Sequence, residues 1–216
     1  MTPPVEIFAF PLGFTQTNTY VVCSGGHCWV IDPSFGPWRV LDFLRGRKLR
    51  PERIVLTHGH CDHIAGINEL LAGVGPVTIS CSADDAGMLT DAGENLSQAF
   101  GEALTTPPAD ELLRPGQTLR LGELAWQVLD TSGHTAGGIS LYCPAAETVF
   151  TGDALFADSI GRCDFPGGNL ERLIGNIHRN LLSLPDQTKV YSGHGPVTTI
   201  GQEKAANPYL REMSPG

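Results

Sequence analysis

Two β-branched and aromatic runs flank a Gly-Gly pair in TYVVCSGGHCWVID (residues 19–32), which predicts a β-hairpin. PWRVLDFLRGRK (37–48) predicts a short helix with proline near its start. RIVLT (53–57) reads as a buried strand. IAGINELLAGVG (64–75) has apolar residues at helical spacing and ends in glycine, so it predicts a helix. VTISCS (77–82) is another strand. Residues 84–110 carry Gly, Pro and acidic residues without a clear period and predict short helices and loops. From residue 118 the pattern turns to strands: TLRL, LAWQVLD, GISLYC and TVFTGD. NLERLIGNIHRNLLSL (169–184) is the clearest amphipathic helix. KVYSG (189–193) predicts a last strand, and GQEKAANPYL (201–210) a short terminal helix. Strands and helices mix without strict βαβ alternation, which predicts a layered α/β or α+β domain rather than a Rossmann fold.

Composition narrows the function classes. The 216 residues suit one domain with a sizeable core, and 41% hydrophobic with 17% charged residues reads as globular. A formal net charge of −9 with no basic block argues against nucleic acid and acidic membranes as partners. The start, MTPPVEIFAFPLG, does not read as a secretory signal, and no apolar run approaches the ~20 residues of a membrane span. The expected location is therefore the cytoplasm. Six cysteines, at 23, 28, 61, 81, 143 and 163, form no CxxC pair and are expected as reduced thiols. Cys23 and Cys28 flank the turn SGGH and should face each other, but a reducing compartment disfavours a disulfide.

The chemistry concentrates in THGHCDH, residues 57–63, which holds His58, His60, Asp62 and His63. The same construction recurs three more times: an apolar strand runs out into a small-residue loop that carries a potential ligand. WQVLDTSG leads to His134, TVFTG to Asp153 and KVYSG to His194. Loops held at strand ends by a rigid sheet are where sites are built. One zinc site takes about four ligands, so five histidines and two aspartates suit two ions sharing a carboxylate and a water. Imidazole and carboxylate without thiolate fit zinc first, with iron or manganese as alternatives. His58 and His60, two apart on an extended turn, point the same way; Asp62 and His63, at the start of a helix, face a second ion. His134 or His194 alone would read as an ordinary loop histidine, and gains meaning only from the cluster. His27 and His178 lack such a context and read as structural or solvated.

With these residues in view, the chain resembles the metallo-β-lactamase-fold hydrolases. HGHCDH matches their H-x-H-x-D-H run, followed in order by the histidine of GHTAGG, the aspartate of TGDALF and the histidine of SGHG. The likeness runs from TNTYVV and VIDP to the SGHG loop. Within that family, TSGHTAGGISLY, FTGDALFADSIGRCDFPGG and VYSGHGPVTTIGQEKAANPYL are most similar to the short bacterial glyoxalase II-like (hydroxyacylglutathione hydrolase-like) thioesterases. The resemblance implies an αββα sandwich over residues 1–216, with the site at one sheet edge and no separate C-terminal helical substrate domain. It implies one metal on His58, His60 and His134, a second on Asp62, His63 and His194, and Asp153 between them. Asp32 would orient a ligand rather than bind metal, and Arg162 would grip a substrate carboxylate. Cys61 and Cys163 match no required thiol.

The implied reaction is hydrolysis of a small-molecule thioester such as S-lactoylglutathione. Metals lower the pKa of bound water toward ~7, giving hydroxide at neutral pH. Asp62 would orient that hydroxide and help move protons, and no GxSxG elbow is present to supply a nucleophile. The rivals are a persulfide dioxygenase using one iron on His58, His134 and Asp153, a lactonase or β-lactamase with the same ions and another pocket, and a binding module that has lost catalysis. An intact ligand set argues against the last. A monomer or small homo-oligomer is expected.

Overall fold

Strand β2 (Thr17–Ser24) is buried along its whole length. Successive side chains of a strand point to opposite faces. Val21 and Cys23 enter one apolar cluster, with Val40, Leu44, Ile67 and Leu70. Tyr20 and Val22 enter a second, with Leu121, Trp126, Leu141 and Phe150. A strand covered on both faces needs apolar residues at every position, which is why TYVVC runs without polar interruption.

The computed structural model describes residues 4–212. Its first sheet has the order β1 (Glu6–Leu12), β2, β3 (His27–Ile31), β4 (Arg53–Val55), β5 (Thr78–Ser82) and β6 (Glu111–Leu113). β1 to β3 are antiparallel, and β3 to β6 run parallel. The second sheet contains β7 (Thr118–Leu121), β8 (Leu124–Asp130), β9 (Ile139–Cys143), β10 (Thr148–Gly152), β13 (Lys189–Ser192) and β14 (Thr198–Thr199), in the spatial order β14-β13-β10-β9-β8-β7. Between β10 and β13 the chain forms a small ribbon, β11 (Leu155–Phe156) with β12 (Ser159–Ile160).

Helices α1 (Trp38–Arg47), α2 (Cys61–Ile64) and α3 (Ile67–Val74) pack on the outer face of the first sheet. Helices α4 (Leu170–Asn176), α5 (Ile200–Ala206) and α6 (Pro208–Glu212) pack on the second. The layers are therefore αββα, the expected sandwich. Trp29 and Trp126 meet across the middle, ring centroids 6.2 Å apart. Each large side chain buried there contributes about 1.5–3 kcal/mol. The sheets are also stitched near one edge: the Tyr20 hydroxyl donates to the Ser192 carbonyl at 2.6 Å, and the Asn18 amide donates to Ser192 and Gly195 carbonyls at 3.1 and 2.9 Å.

Several predicted elements differ in detail. β1 and β6 were not predicted. The predicted helix 64–75 is divided between α2 and α3, because the Gly66 amide turns away to the Pro33 carbonyl at 2.8 Å. The strand predicted over 53–57 is regular only to Val55; Leu56 still donates to Ser80. The predicted helix 169–184 is α4 followed by a π-helical turn, Ile177–Leu181. The terminal helix is two short ones, broken at Asn207, whose side chain donates to Ser159 and Glu203 ahead of Pro208. Among the described residues no helix is long and apolar enough to cross a membrane.

Candidate metal centre

Four strand ends converge at the stitched edge. The turn after β4 presents His58 and His60, and α2 presents Asp62 and His63. His134 follows β8, Asp153 follows β10 directly, and His194 lies just past β13. These seven side chains form three overlapping groups whose ligand atoms lie within 4.8 Å of one another: His58, His60 and His134; His58, His63 and Asp153; Asp62, His63 and His194. Asp153 sits among them. Its Oδ1 is 3.3 Å from His63 Nε2, and its Oδ2 is 3.6 Å from His134 Nε2 and 3.5 Å from His194 Nε2. His194 Nε2 is also 3.4 Å from Asp62 Oδ2.

Hydrogen bonds aim four of the rings. A carbonyl only accepts, so His134 donates from Nδ1 to the Arg162 carbonyl at 2.7 Å, and His194 from Nδ1 to the Thr15 carbonyl at 3.2 Å. His63 Nδ1 lies 3.0 Å from Asp32 Oδ2. The Thr57 hydroxyl donates to Asp32 at 2.6 Å and thus accepts from His58 Nδ1 at 3.1 Å. Each Nδ1 keeps the proton and leaves Nε2 free to bind a cation. His60 is turned the other way, with Nδ1 2.9 Å from His134 Nε2.

Asp32, expected to orient a ligand, is 1% exposed and contacts His63 and Thr57. Sequence reasoning missed Thr57, and also Thr17, whose hydroxyl donates to Asp62 Oδ2 at 2.8 Å. Their only signal is that Thr57 precedes HGH in THGH and that Thr17 opens β2 in TNTYVV. His27 pairs with Glu52 on the surface, and all six cysteines are free.

The electrostatics separate the clusters. Burial holds His58 well below the usual histidine range, and burial with the neighbouring His134 brings His60 to about 3. Burial also opposes charge on His63 and His194, but the carboxylates win: Asp153, Asp62 and Asp32 raise His63 well above its usual range, and hydrogen bonds to Asp153 and Asp62 raise His194 to about 9. Burial works against ionising Asp62 and Asp153 too, and is outweighed by His63 and His194, leaving Asp62 at about 2 and Asp153 well below the carboxylate range.

The residues present fit a divalent metal. His58 Nε2, His60 Nε2, His63 Nε2 and Asp153 Oδ1 are buried without a hydrogen-bond partner. A buried polar atom left unpaired costs about 1–3 kcal/mol. His58, His63 and Asp153 belong to one group, so their three unpaired atoms are a poor arrangement unless a cation joins them. His60 offers the cluster with His58 and His134 its Nδ1, the nitrogen on the His134 side. Imidazole with carboxylate is a donor set for zinc, iron or manganese.

The cluster floors a cleft of about 410 Å³, bordered by Phe14, Leu96, Phe100, Phe156, Arg162 and Phe165 among others. Phe14 and Phe100 are 71% and 60% exposed at its mouth. Arg162 lines the cleft, but its guanidinium is already held by Asp164, Nε to Oδ1 at 2.6 Å and Nη2 to Oδ2 at 2.5 Å, and lies 4.1 Å over the Phe165 ring.

Sandwich and site together define a metal-dependent hydrolase architecture. Residues 12–194 match the metallo-beta-lactamase superfamily model, and the chain belongs to that superfamily. Among curated relatives, the probable metallo-hydrolase YqgX of Bacillus subtilis is 36% identical over 205 residues, covering 94% of this chain and 97% of that one. The hydroxyacylglutathione hydrolase GloC of Haemophilus influenzae is 36% identical over 191 residues, covering 86% and 88%. Among solved structures, the BLEG-1 B3 metallo-beta-lactamase superposes with a TM-score of 0.90 at 36% identity, covering 95% of this chain and 99% of that one. TTHA1623 in a di-iron-bound form gives 0.84 at 36% identity, covering 94% and 100%. ETHE1 from Myxococcus xanthus gives 0.79 at 30% identity, covering 97% and 86%.

Proposed function

We propose that this protein hydrolyses a small-molecule thioester, S-lactoylglutathione being the model substrate, with two divalent metal ions. The observation that carries the reading is the convergence of five imidazoles and two carboxylates on one cleft floor, with Nε2 of His58 and of His63 buried and unpartnered among them. His58, His60 and His134 would hold one ion, and Asp62, His63 and His194 the other, with Asp153 shared. Zinc is the first choice, with iron or manganese as alternatives; the di-iron-bound neighbour keeps iron in play. When bound, such ions supply a water acidified toward a pKa of ~7 and polarise a carbonyl oxygen.

The chain's own residues do the rest. Asp62, ionised and steered by the Thr17 hydroxyl, would orient the attacking hydroxide and help move protons. Asp32 and the Arg162 carbonyl keep His63 and His134 in the tautomer that leaves Nε2 free. The apolar cleft wall would pack against the non-polar part of the substrate. Arg162 meets a substrate carboxylate by exchanging it for Asp164. The likeness to hydroxyacylglutathione hydrolase GloC supports a glutathione-linked substrate. Six free thiols suit action in the cytoplasm.

The test is metal analysis of the purified protein followed by two assays side by side: hydrolysis of S-lactoylglutathione, and oxygen consumption with glutathione persulfide. Two transition-metal ions per chain with thioester cleavage are expected. A fully loaded sample that holds one iron, leaves the thioester intact and consumes oxygen with the persulfide would replace the hydrolase by a dioxygenase.

A further inference from the structure

Asp85 stands just past β5, is 0% exposed, and its carboxylate accepts only from uncharged donors, two backbone amides and one hydroxyl. Its Oδ2 accepts from the Gly59 amide at 3.2 Å and from the Thr135 hydroxyl at 2.7 Å. Its Oδ1 accepts from the Gly137 amide at 2.7 Å. Gly59 lies between His58 and His60, while Thr135 and Gly137 follow His134. The three imidazoles of that cluster thus hang on two loops, one leaving the first sheet and one leaving the second. A single carboxylate spans both.

We propose that Asp85 is the positioning residue of the His58, His60 and His134 cluster, fixing the spacing of its ring nitrogens through the two loops without touching metal or substrate. The inference rests on the metal reading above.

Burying a carboxylate with no cation beside it costs several kcal/mol, offset only by good hydrogen bonds. A plain loop anchor would not need the charge. The three groups facing Asp85 all donate, and a carboxylate accepts on both oxygens while donating nothing. An amide in its place must turn its NH2 toward either the Gly137 amide or the Gly59 side, so one loop is released in either orientation. The fit is also close: a Cβ at Gly137 would stand 2.6 Å from the Asp85 nitrogen and 2.7 Å from its Oδ1. Binding sites tolerate displacements of only about 0.5 Å, so releasing one loop shows first in metal affinity.

The experiment is a cobalt(II) titration of the full chain under chelator competition. Metal-shifted imidazole N–H resonances identify which histidines hold the ion. Asp85→Asn is expected to bind about 10–100-fold more weakly in the step that moves His58, His60 and His134, while the step that moves His63 and His194 stays as in the wild type. Thr135→Val, which removes one donor and keeps the carboxylate, should show a smaller loss in the same step. Asp84→Asn, at the exposed neighbour, should change neither. Equal weakening of both steps, no weakening, or failure of both Asp85→Asn and Thr135→Val to fold would reduce Asp85 to a structural residue and overturn the proposal. A wild type that takes up no cobalt would defeat the metal reading itself; a wild type that binds, with Asp85→Asn unchanged, would defeat this proposal alone.

Discussion

The carboxylate of Asp32 lies 3.0 Å from Nδ1 of His63, and both side chains are sealed from solvent. The same carboxylate holds the Thr57 amide at 2.8 Å and its hydroxyl at 2.6 Å. Asp32 therefore aims His63 directly and His58 through Thr57. Asp32→Ala should weaken metal binding about 10–100-fold, the usual cost of losing such a partner. Isothermal titration with zinc measures it. Unchanged affinity would mean that Asp32 serves only the turn into Pro33.

Asp153→Ala should lose more metal and activity than Asp62→Ala. Asp153 approaches His63, His134 and His194, whereas Asp62 approaches only His63 and His194. Removing the shared anion leaves two cations facing each other without a carboxylate between them. Metal content after dialysis, with thioester turnover, decides. Equal and small losses would contradict the ligand assignment.

The metal-free protein should be most stable near a pH of ~6.5, the unfolded histidine value. His58 and His60 titrate lower in the folded state, so their contribution is present above ~6.5 and is lost as pH falls toward about 3 for His60. His63 and His194 titrate higher, so theirs is complete below ~6.5 and is lost as pH rises through about 9 for His194. Asp62 and Asp153 titrate lower than free carboxylates, and their contribution disappears only in acid below ~4. Thermal melts of chelated protein across pH test the maximum. A stability that rises steadily to pH ~9 would show that His63 and His194 are not held by the carboxylates.

Gly193→Ala should empty the site while leaving the sandwich folded. A Cβ at Gly193 would overlap Asp153 Oδ1 and stand 2.7 Å from His63 Cε1. The methyl cannot be placed unless Asp153 moves. Metal content should fall while the far-ultraviolet circular dichroism spectrum is retained. Normal loading would show that the loop after β13 yields instead.

Arg162→Ala should raise KM for a carboxylate-bearing thioester more than it lowers kcat, because a remote clamp binds ground and transition states alike. Asp164→Asn should lower KM, since the guanidinium fork is then released from its present partner. If neither variant shifts either parameter, the Arg162–Asp164 pair only braces the loop whose carbonyl holds His134.

The candidate site was readable in the sequence to the extent that metal binding restricts residue type. HGHCDH, GHTAGG, TGDALF and SGHG stand out because few side chains ligate and small residues surround them. Asp85 was not readable: SADDAG is ordinary turn composition, and its partners lie 26 and about 50 residues away. Thr17 and Thr57 escaped for the same reason. In the fold, β2, β3 and the β8–β10 strands were plain because buried strands need unbroken apolar runs. β1 was obscured by Pro11 and by mixed exposure, as suits an edge strand. β6 has only three residues, too few for a period to emerge. The break at Gly66 depends on a carbonyl from Pro33, far along the chain, and no local pattern encodes it.

Phe14 and Phe100 guard the cleft from segments that supply none of the seven converging side chains, and a phenylalanine ring has no polar atom with which to steady them. The two segments still reach the floor through their backbones, the Thr15 carbonyl accepting from His194 and the Asn95 carbonyl from the Cys61 amide. It is therefore the two rings, and not the segments that carry them, that can change while the converging side chains keep their supports. Exchanging Phe14 and Phe100 alone is accordingly the way to reshape the mouth of the cleft with the backbone around the cluster left in place.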